Sequence, residues 1–393
     1  MTEIAHGIRY IGVDDRELDL FESQYIIPEG ISYNSYIILD TKVTVMDTVD
    51  ARKTGEWLAN LEQALDGRQP DYLVLHHVEP DHSGSLMAFM EKYPKTTLVA
   101  SAMAFKFLGQ FNPGVEFPDK LVVKDGDTLS AGEHHTLKFI AAPMVHWPEV
   151  MLSLEMGTDT LFSADAFGKF GALDGAVFNT DDWACEARRY YFNIVGKYGP
   201  QVGKLLSSLL GCKVSTIAPL HGPVLQDAMA GPYLMYYTKW SSYQPETEGV
   251  FIAYASIHGG TAAVALELAE ILRAKGCSKV AVSDLTRDDQ AEAVEDAFRY
   301  GTMVLAAASY DAGLFTPAYN FLHVLQMKAY QNRRVALIEN GSWAPSAGRV
   351  MKEMLSQMKD IRQVGELLSI RSRMKAEDRP ALEALADAIL SKD

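Results

Sequence analysis

The chain has 393 residues, too many for a single ordinary core of roughly 100 to 200 residues. Its 48% hydrophobic and 22% charged residues are the balance of a folded globular protein rather than a disordered one. Against 51 Asp and Glu stand 36 Lys and Arg, a formal net charge of -15 that argues against nucleic acid or an anionic membrane as partner.

No apolar run approaches the roughly 18 residues needed to span a bilayer, and Met1-Thr2-Glu3-Ile4 lacks a charged-then-apolar leader pattern, so the expected location is the cytoplasm. The first 240 or so residues read as short strands joined by irregular and helical segments. Strand candidates are Tyr36 to Leu39, Val43 to Met46, Leu73 to His77, Leu137 to Ala141, Met151 to Leu154 and Val214 to Ala218. Between Trp240 and Glu248 the chain is polar, carries a proline and has no periodicity, which reads as a linker. Two domains are therefore expected, residues 1–245 and 246–393. In the second, β-rich segments recur at Val250 to Ala255, Val280 to Leu285, Met303 to Ala308, Val335 to Glu339 and Leu367 to Ile370, with helical segments between. The first of these helices carries Val264, Leu268, Ile271 and Leu272 at the spacing of one buried face, and Gly276 ends it. Such alternation predicts a doubly wound parallel sheet.

Cys185, Cys212 and Cys277 lie far apart, so neither a disulfide framework nor a cysteine metal knuckle can be built, and any metal must be held by histidines and carboxylates. The densest such signal is His77-Val78-Glu79-Pro80-Asp81-His82, directly after the apolar run Tyr72 to Leu75. Four candidate ligands fall within six residues, where a strand end and a proline turn can aim alternate side chains at one place. His146 just before a strand, Asp165 at the end of Thr160 to Ala164, and His221 after Ile217 to Leu220 occupy comparable strand-to-loop junctions.

The order H-x-E-x-D-H, then H, D and H, resembles the metallo-β-lactamase-like domain of the flavodiiron proteins. That resemblance implies an αββα sandwich and assigns His77, Glu79 and His146 to one iron, Asp81, His82 and His221 to the other, with Asp165 bridging. Glu79 stands where most relatives of the lactamase-like fold carry a second histidine, and a carboxylate-rich set suits a metal that cycles between ferrous and ferric states. His76 departs from the Asn often found at its position; strand alternation turns it away from His77, into a supporting or structural role. Trp147 and Pro148 match the family, whereas Glu149 stands where Asp is usual and is expected at the surface. His6, His134, His135 and His323 match no motif.

In the second region Ser256-Ile257-His258-Gly259-Gly260-Thr261 follows a strand and opens a helix, where backbone N–H groups, two hydroxyls and the helix dipole favour a phosphate. The spacing lacks G-x-G-x-x-G, which disfavours a dinucleotide. Two more loops, Ser309-Tyr310-Asp311-Ala312-Gly313 and Asn340-Gly341-Ser342-Trp343-Ala344, follow later strands at the end where doubly wound sheets bind ligands. The three loops resemble those of flavodoxin, whose ligand is FMN, and Trp343 can pack on its ring.

Taken together, the resemblance implies a flavodiiron oxidoreductase of the form without fused rubredoxin. FMN would pass electrons to a pair of iron ions that reduce dioxygen to water, nitric oxide to nitrous oxide, or both. It also implies a head-to-tail homodimer or a dimer of dimers, and an external electron donor such as rubredoxin or a reduced cofactor. The rival readings are a dinuclear zinc hydrolase with an accessory flavodoxin-like domain, and an electron carrier whose metal site is structural.

Overall fold

The computed structural model describes residues 2–178, 183–226 and 230–391. They gather into two units, Met1–Thr238 and Lys239–Asp393. The expected linker is shorter than its polarity suggests. Trp240 and Ser241 close the helix Ala230–Ser241, and the strand Thr247–Ala255 has begun before Glu248. Trp240 is fully buried and its indole N–H donates to Glu246 at 2.7 Å, so this polar stretch is itself packed structure.

The first unit is built on two sheets. One orders its strands Glu3–Ala5, Ile8–Tyr10, Tyr36–Leu39, Val43–Met46, Tyr72–Val74, Thr97–Ala100 and Lys120–Val122. It is antiparallel up to Val43–Met46 and parallel from there on. The switch coincides with helices: Thr54–Leu65 and Ala102–Phe111 make the crossovers that parallel neighbours require. The second sheet runs Thr128–Ser130, Thr136–Ala141, Met151–Glu155, Thr160–Phe162, Thr216–Ala218 and Leu225–Gln226. Between the sheets Ile8, Tyr36, Ile38, Met46, Val74 and Val99 meet Leu137, Phe139, Met151, Phe162 and Ala218 in one buried cluster. Burial on that scale, at roughly 25 cal/mol per Å² of apolar surface, is what holds two sheets face to face. This is the metallo-β-lactamase-like sandwich.

Pairing directions decide where the loops emerge. Thr160–Phe162 and Thr216–Ala218 are parallel neighbours, so Asp165 and His221 leave the second sheet at the same edge. Met151–Glu155 is antiparallel to Thr160–Phe162, so its entry side, with His146 and Glu149, lies at that edge too. In the other sheet Tyr72–Val74 ends before His76 and His77, short of the expected strand Leu73 to His77. The backbone then turns, and Pro80–Ser83 forms one turn of helix whose N-cap is Glu79.

The second unit is a sheet with strand order Val280–Asp284, Thr247–Ala255, Tyr300–Tyr310, Arg333–Asn340, all parallel, the 2-1-3-4 beginning of a flavodoxin-like sheet. The fifth strand is split: Ile361–Gln363 pairs with the start of Arg333–Asn340 and Leu368–Ile370 with its end. The helix Gly260–Ala274 buries Val264, Leu268, Ile271 and Leu272 against the sheet. It ends where Gly276 takes φ 92° and donates to Arg273 O, while Cys277 donates to Leu272 O, a Schellman stop. Among the described residues no helix is long and apolar enough to cross a membrane.

Candidate metal centre

The loop from His77 to Ser83 carries four of the candidate ligands and is tied down by its own backbone. His82 N–H and Ser83 N–H both donate to Glu79 O at 2.9 Å, and Ser83 Oγ–H donates to Val78 O at 2.8 Å. Thr48 holds the far side, its N–H and hydroxyl donating to His82 O at 3.1 and 2.7 Å. Gly84 permits the close packing, since a Cβ there would stand 2.5 Å from Pro80 O and 2.7 Å from Ala51 N. The reversal sends His77 and Glu79 to one side and Asp81 and His82 to the other.

Two clusters result, His77, Glu79, His146 and Asp165 in one, and Asp81, His82 and His221 in the other. In the first, His77 Nε2 lies 3.1 Å from Glu79 Oε2 and 3.4 Å from Asp165 Oδ2, and His146 Nε2 lies 3.1 Å from both oxygens. In the second, His82 Nε2 lies 3.4 Å from Asp81 Oδ2 and 3.1 Å from Asp165 Oδ1, and His221 Nε2 lies 3.2 and 3.7 Å from the same two atoms. Asp165 therefore offers Oδ2 to one cluster and Oδ1 to the other. Donors bound at about 2.1 Å to one ion stand about 3.0 Å apart at a right angle and about 3.4 Å at the tetrahedral angle. Most of the observed spacings, 3.1 to 3.4 Å, fall in this range, so the two clusters could each hold an ion.

Five atoms here, Asp81 Oδ1, His82 Nδ1 and Nε2, Asp165 Oδ1 and His221 Nε2, are buried without a hydrogen-bond partner. Leaving such groups unmet costs about 1 to 3 kcal/mol each, more where charge is involved, and a cation beside His82 Nε2, Asp165 Oδ1 and His221 Nε2 would meet those three, although not His82 Nδ1 on the other edge of its ring. The electrostatics agree. Burial by itself would lower the His77 pKa, yet the charge of Asp165 and hydrogen bonds to Glu149 and Glu79 hold it well above the usual imidazole range. His146, opposed by burial in the same way, is lifted to about 9 by Asp165 and Glu79. Glu79 is driven down to about 2, against its burial, by hydrogen bonds from His146 and His77. The carboxylates thus create a strongly cation-seeking space.

The expectation of a surface Glu149 is overturned. Its side chain is fully buried, and Oε1 accepts from His77 Nδ1–H at 2.7 Å and from Val78 N–H at 3.2 Å. A carboxylate behind a ligating imidazole fixes its tautomer and leaves Nε2 for the metal. Proximity to His146-Trp147 in the sequence is the only signal that could have pointed to it. His221 is held by its Nδ1–H donating to Ser32 O at 2.7 Å. His76 turns away from the clusters and bonds Asp47 and Ser153.

Aromatic rings close the surroundings. Phe21, Tyr33 and Tyr190 have ring centroids 5.4, 5.9 and 5.7 Å from that of His221. The Tyr190 hydroxyl is buried without a partner, and burial first, then the charges of Asp165 and Asp81, keep it protonated. On the outer side, a cavity of about 330 Å³ reaches His146 between Phe107, Phe111, Trp147 and Tyr198.

In the second unit the three expected loops leave the carboxyl ends of the strands Thr247–Ala255, Tyr300–Tyr310 and Arg333–Asn340. Gly259 takes φ 82°, and at Gly260 a Cβ would stand 2.2 Å from Ser372 O and 3.1 Å from Asn340 Nδ2. Only hydrogen fits there. Thr261 is buried, and Ser256 Oγ is buried without a partner at the start of the helix Gly260–Ala274. Ile257 and Gly259 are exposed, as is His258. The second loop is shaped by left-handed backbone at Asp311 and Ala312, with Tyr310 exposed and Gly313 paired back to Tyr310. Ser309 Oγ accepts from Ser346 and Ala347 N–H at 2.8 and 3.1 Å, joining second loop to third. Gly341 packs against Pro345, Ser342 Oγ meets Ser372 Oγ at 2.8 Å, Trp343 is 87% exposed, and Ala344 follows it in the same loop. Ser346 and Ser372 complete this cradle and were not among the expected residues. Ser372 could have been sought just beyond the fifth strand, at the same carboxyl edge.

Comparison with known proteins agrees with both halves. Residues 31–222 match the family described as ODP family beta lactamase. The chain is 28% identical over 391 residues to an anaerobic nitric oxide reductase flavorubredoxin of Salmonella typhi, covering 97% of this chain and 79% of the relative. Among solved structures it superimposes on rubredoxin oxygen:oxidoreductase from Desulfovibrio gigas with TM-score 0.91 and 26% identity, covering 99% of this chain and 97% of that one. A point mutant of the flavo di-iron protein from Thermotoga maritima gives TM-score 0.87 and 25% identity, over 97% and 95%.

Proposed function

We propose that this chain, similar along nearly its whole length to flavorubredoxin and flavodiiron oxidoreductases, is an enzyme of that family that carries electrons from FMN to two iron ions and there reduces dioxygen to water, with nitric oxide as a second substrate. The carrying observation is the shared Asp165, one oxygen to each cluster, with orphaned donor atoms in the second cluster. Each cluster then offers two imidazoles and a carboxylate of its own besides Asp165, the mixed imidazole and carboxylate set that suits non-haem iron. The residues present fit the metal pair. Under this reading His77, Glu79 and His146 hold one ion and Asp81, His82 and His221 the other.

For the flavin, the orphaned Ser256 hydroxyl, Thr261 and the helix N-terminus fit a phosphate monoester. Gly260 and Gly341 let these loops pack tightly on Ser372 and on Pro345 and Ser309, which fixes the shape of the cradle that would hold the flavin. When bound, FMN supplies one-electron and two-electron redox chemistry and the iron pair supplies binding and reduction of a small oxidant.

The chain's own residues do the rest. Glu149 holds His77 in one orientation, and Ser32 does so for His221. Phe21, Tyr33 and Tyr190 keep bulk water from the His221 side. Tyr190, protonated and unpaired beside the His221 ring, can offer its O–H as a hydrogen-bond donor to negative charge that develops in this space.

We further infer a cytoplasmic enzyme that acts as a homodimer and draws electrons from a separate donor such as rubredoxin. The test is metal and flavin analysis of native protein, followed by anaerobic turnover of each gas with chemically reduced rubredoxin. Two irons and one FMN per chain with gas-dependent oxidation of the donor are expected. Zinc in place of iron, no turnover of either gas, and metal-dependent hydrolysis of a thioester or lactam would replace this reading.

A further inference from the structure

Adjacent to the ligand His77 is a polar array that touches no metal position. His76 is 1% exposed, and every polar atom it has is committed. Its N–H donates to Asp47 Oδ1 at 2.7 Å, and Nδ1–H donates to Asp47 Oδ2 at 2.6 Å. Nε2 lies 2.8 Å from Ser153 Oγ, and its carbonyl accepts from Met151 N–H at 3.0 Å. Asp47 follows the strand Val43–Met46 in one sheet, and Ser153 sits inside Met151–Glu155 in the other. Hydrogen bonds therefore cross between the sheets within their apolar interface, through a ring stacked against Phe162 with centroids 6.1 Å apart.

An apolar trio would pack there without the desolvation that three buried polar side chains carry, so stability alone does not account for the array. Its geometry does. Strand Met151–Glu155 is entered through Glu149, and Glu149 Oε1 is the atom that holds His77 Nδ1–H and Val78 N–H. Fixing that strand against the His76–His77 backbone fixes where Glu149 can reach.

We propose that Asp47, His76 and Ser153 form a strap between the sheets that positions Glu149 behind His77, and through it aims His77 Nε2 at the metal of the first cluster. All three are positioning residues. The proposal rests on the reading that the seven ligands hold two ions.

The test is anaerobic titration of ferrous iron into metal-free full-length protein: wild type, Ser153→Ala, Glu149→Ala and the double variant. Ser153→Ala removes one oxygen and keeps the packing. It is expected to weaken one of the two ions by about tenfold or more and leave the other within about twofold, as losses behind a ligating histidine do. In the Glu149→Ala background the same change is expected to add nothing, because the strap acts through Glu149. Equal weakening of both ions, an additive loss in the double variant, or unchanged affinity overturns the proposal. Should Ser153→Ala fail to fold, Asp47→Asn keeps the shape while loosening His76, and is read by the same criteria. Wild-type protein that fails to take up two ions counts against the metal-pair reading itself, a result distinct from any behaviour of the variants.

Discussion

Glu149 Oε1 lies 2.7 Å from Nδ1 of His77, a buried contact closed across 72 positions of the chain. It couples the entry of a strand in one sheet to the ligand loop of the other, and makes the first metal cluster depend on how the sheets are registered. Replacing Glu149 with Gln is expected to lower iron affinity at one of the two positions by about ten- to a hundredfold, measured as metal retained per chain after dialysis against a weak chelator. Full retention of both irons would remove Glu149 from the machinery.

Asp165 is the one carboxylate with an oxygen toward each cluster. Asp165→Ala should abolish binding of the pair, whereas His221→Ala should spare the ion on the His77 side. Elemental analysis of the two variants gives a direct comparison, and an Asp165→Ala protein with two irons would show that the bridge is misassigned.

Tyr190 carries a buried, unpaired hydroxyl that burial first, and then the charges of Asp165 and Asp81, hold in its protonated form. Tyr190→Phe is expected to keep both irons and FMN while lowering kcat for dioxygen by about a hundredfold, the lower range for loss of a hydrogen-bond donor to developing charge. The check is steady-state turnover in light and heavy water. An unchanged rate and solvent isotope effect would exclude hydrogen-bond donation from this group.

Gly260 has no room for a side chain, since its Cβ would meet Ser372 O at 2.2 Å. Gly260→Ala should push the phosphate loop from the Asn340–Ser372 loop and weaken FMN, read as visible flavin absorbance per chain after gel filtration. Gly259→Ala meets no neighbouring atom but is strained by φ 82°, and is expected to act on stability as well as on flavin.

Glu155 shows how acid should act on the first unit. Its carboxyl is opposed by burial but drawn down to about 2 by hydrogen bonds from His135, Thr158 and Gly157. A carboxyl depressed in the folded state stabilises it above the unfolded pKa, near 4.3, and the gain is lost as pH falls toward 2. Glu155→Gln should therefore be less stable than wild type at pH 6, by about 2 kcal/mol, with the gap closing between about pH 4.3 and 2. Denaturant unfolding across that range measures it, and a gap independent of pH would rule out the linkage.

Much of the chemistry was legible in order along the chain. His77, Glu79, Asp81 and His82 are local neighbours whose spacing survives any fold that places a turn there, and the loops after the strands of the second unit follow from a rule about parallel sheets. Helix periodicity carried through as well: the face of Val264, Leu268, Ile271 and Leu272 is buried, and Gly276 ends that helix. Readings failed where polarity stood in for position. Trp240 to Glu248 looked like a linker, yet its tryptophan and Glu246 bond each other inside packed structure.

By itself the sequence determined the types and order of the candidate ligands and the alternation of the second unit, because these depend on contacts a few residues apart. Only the tertiary structure decided that Glu149 stands behind His77, that His76 joins the sheets through Asp47 and Ser153, that Tyr190 packs against His221 beside the candidate ligands, and that Ser346 and Ser372 tie together the loops of the proposed flavin site. The reason is physical. Each of these groups takes its role from a partner brought to it by sheet registration and the packing of buried apolar faces, and a charged side chain reads the same in sequence whether it meets water or a histidine.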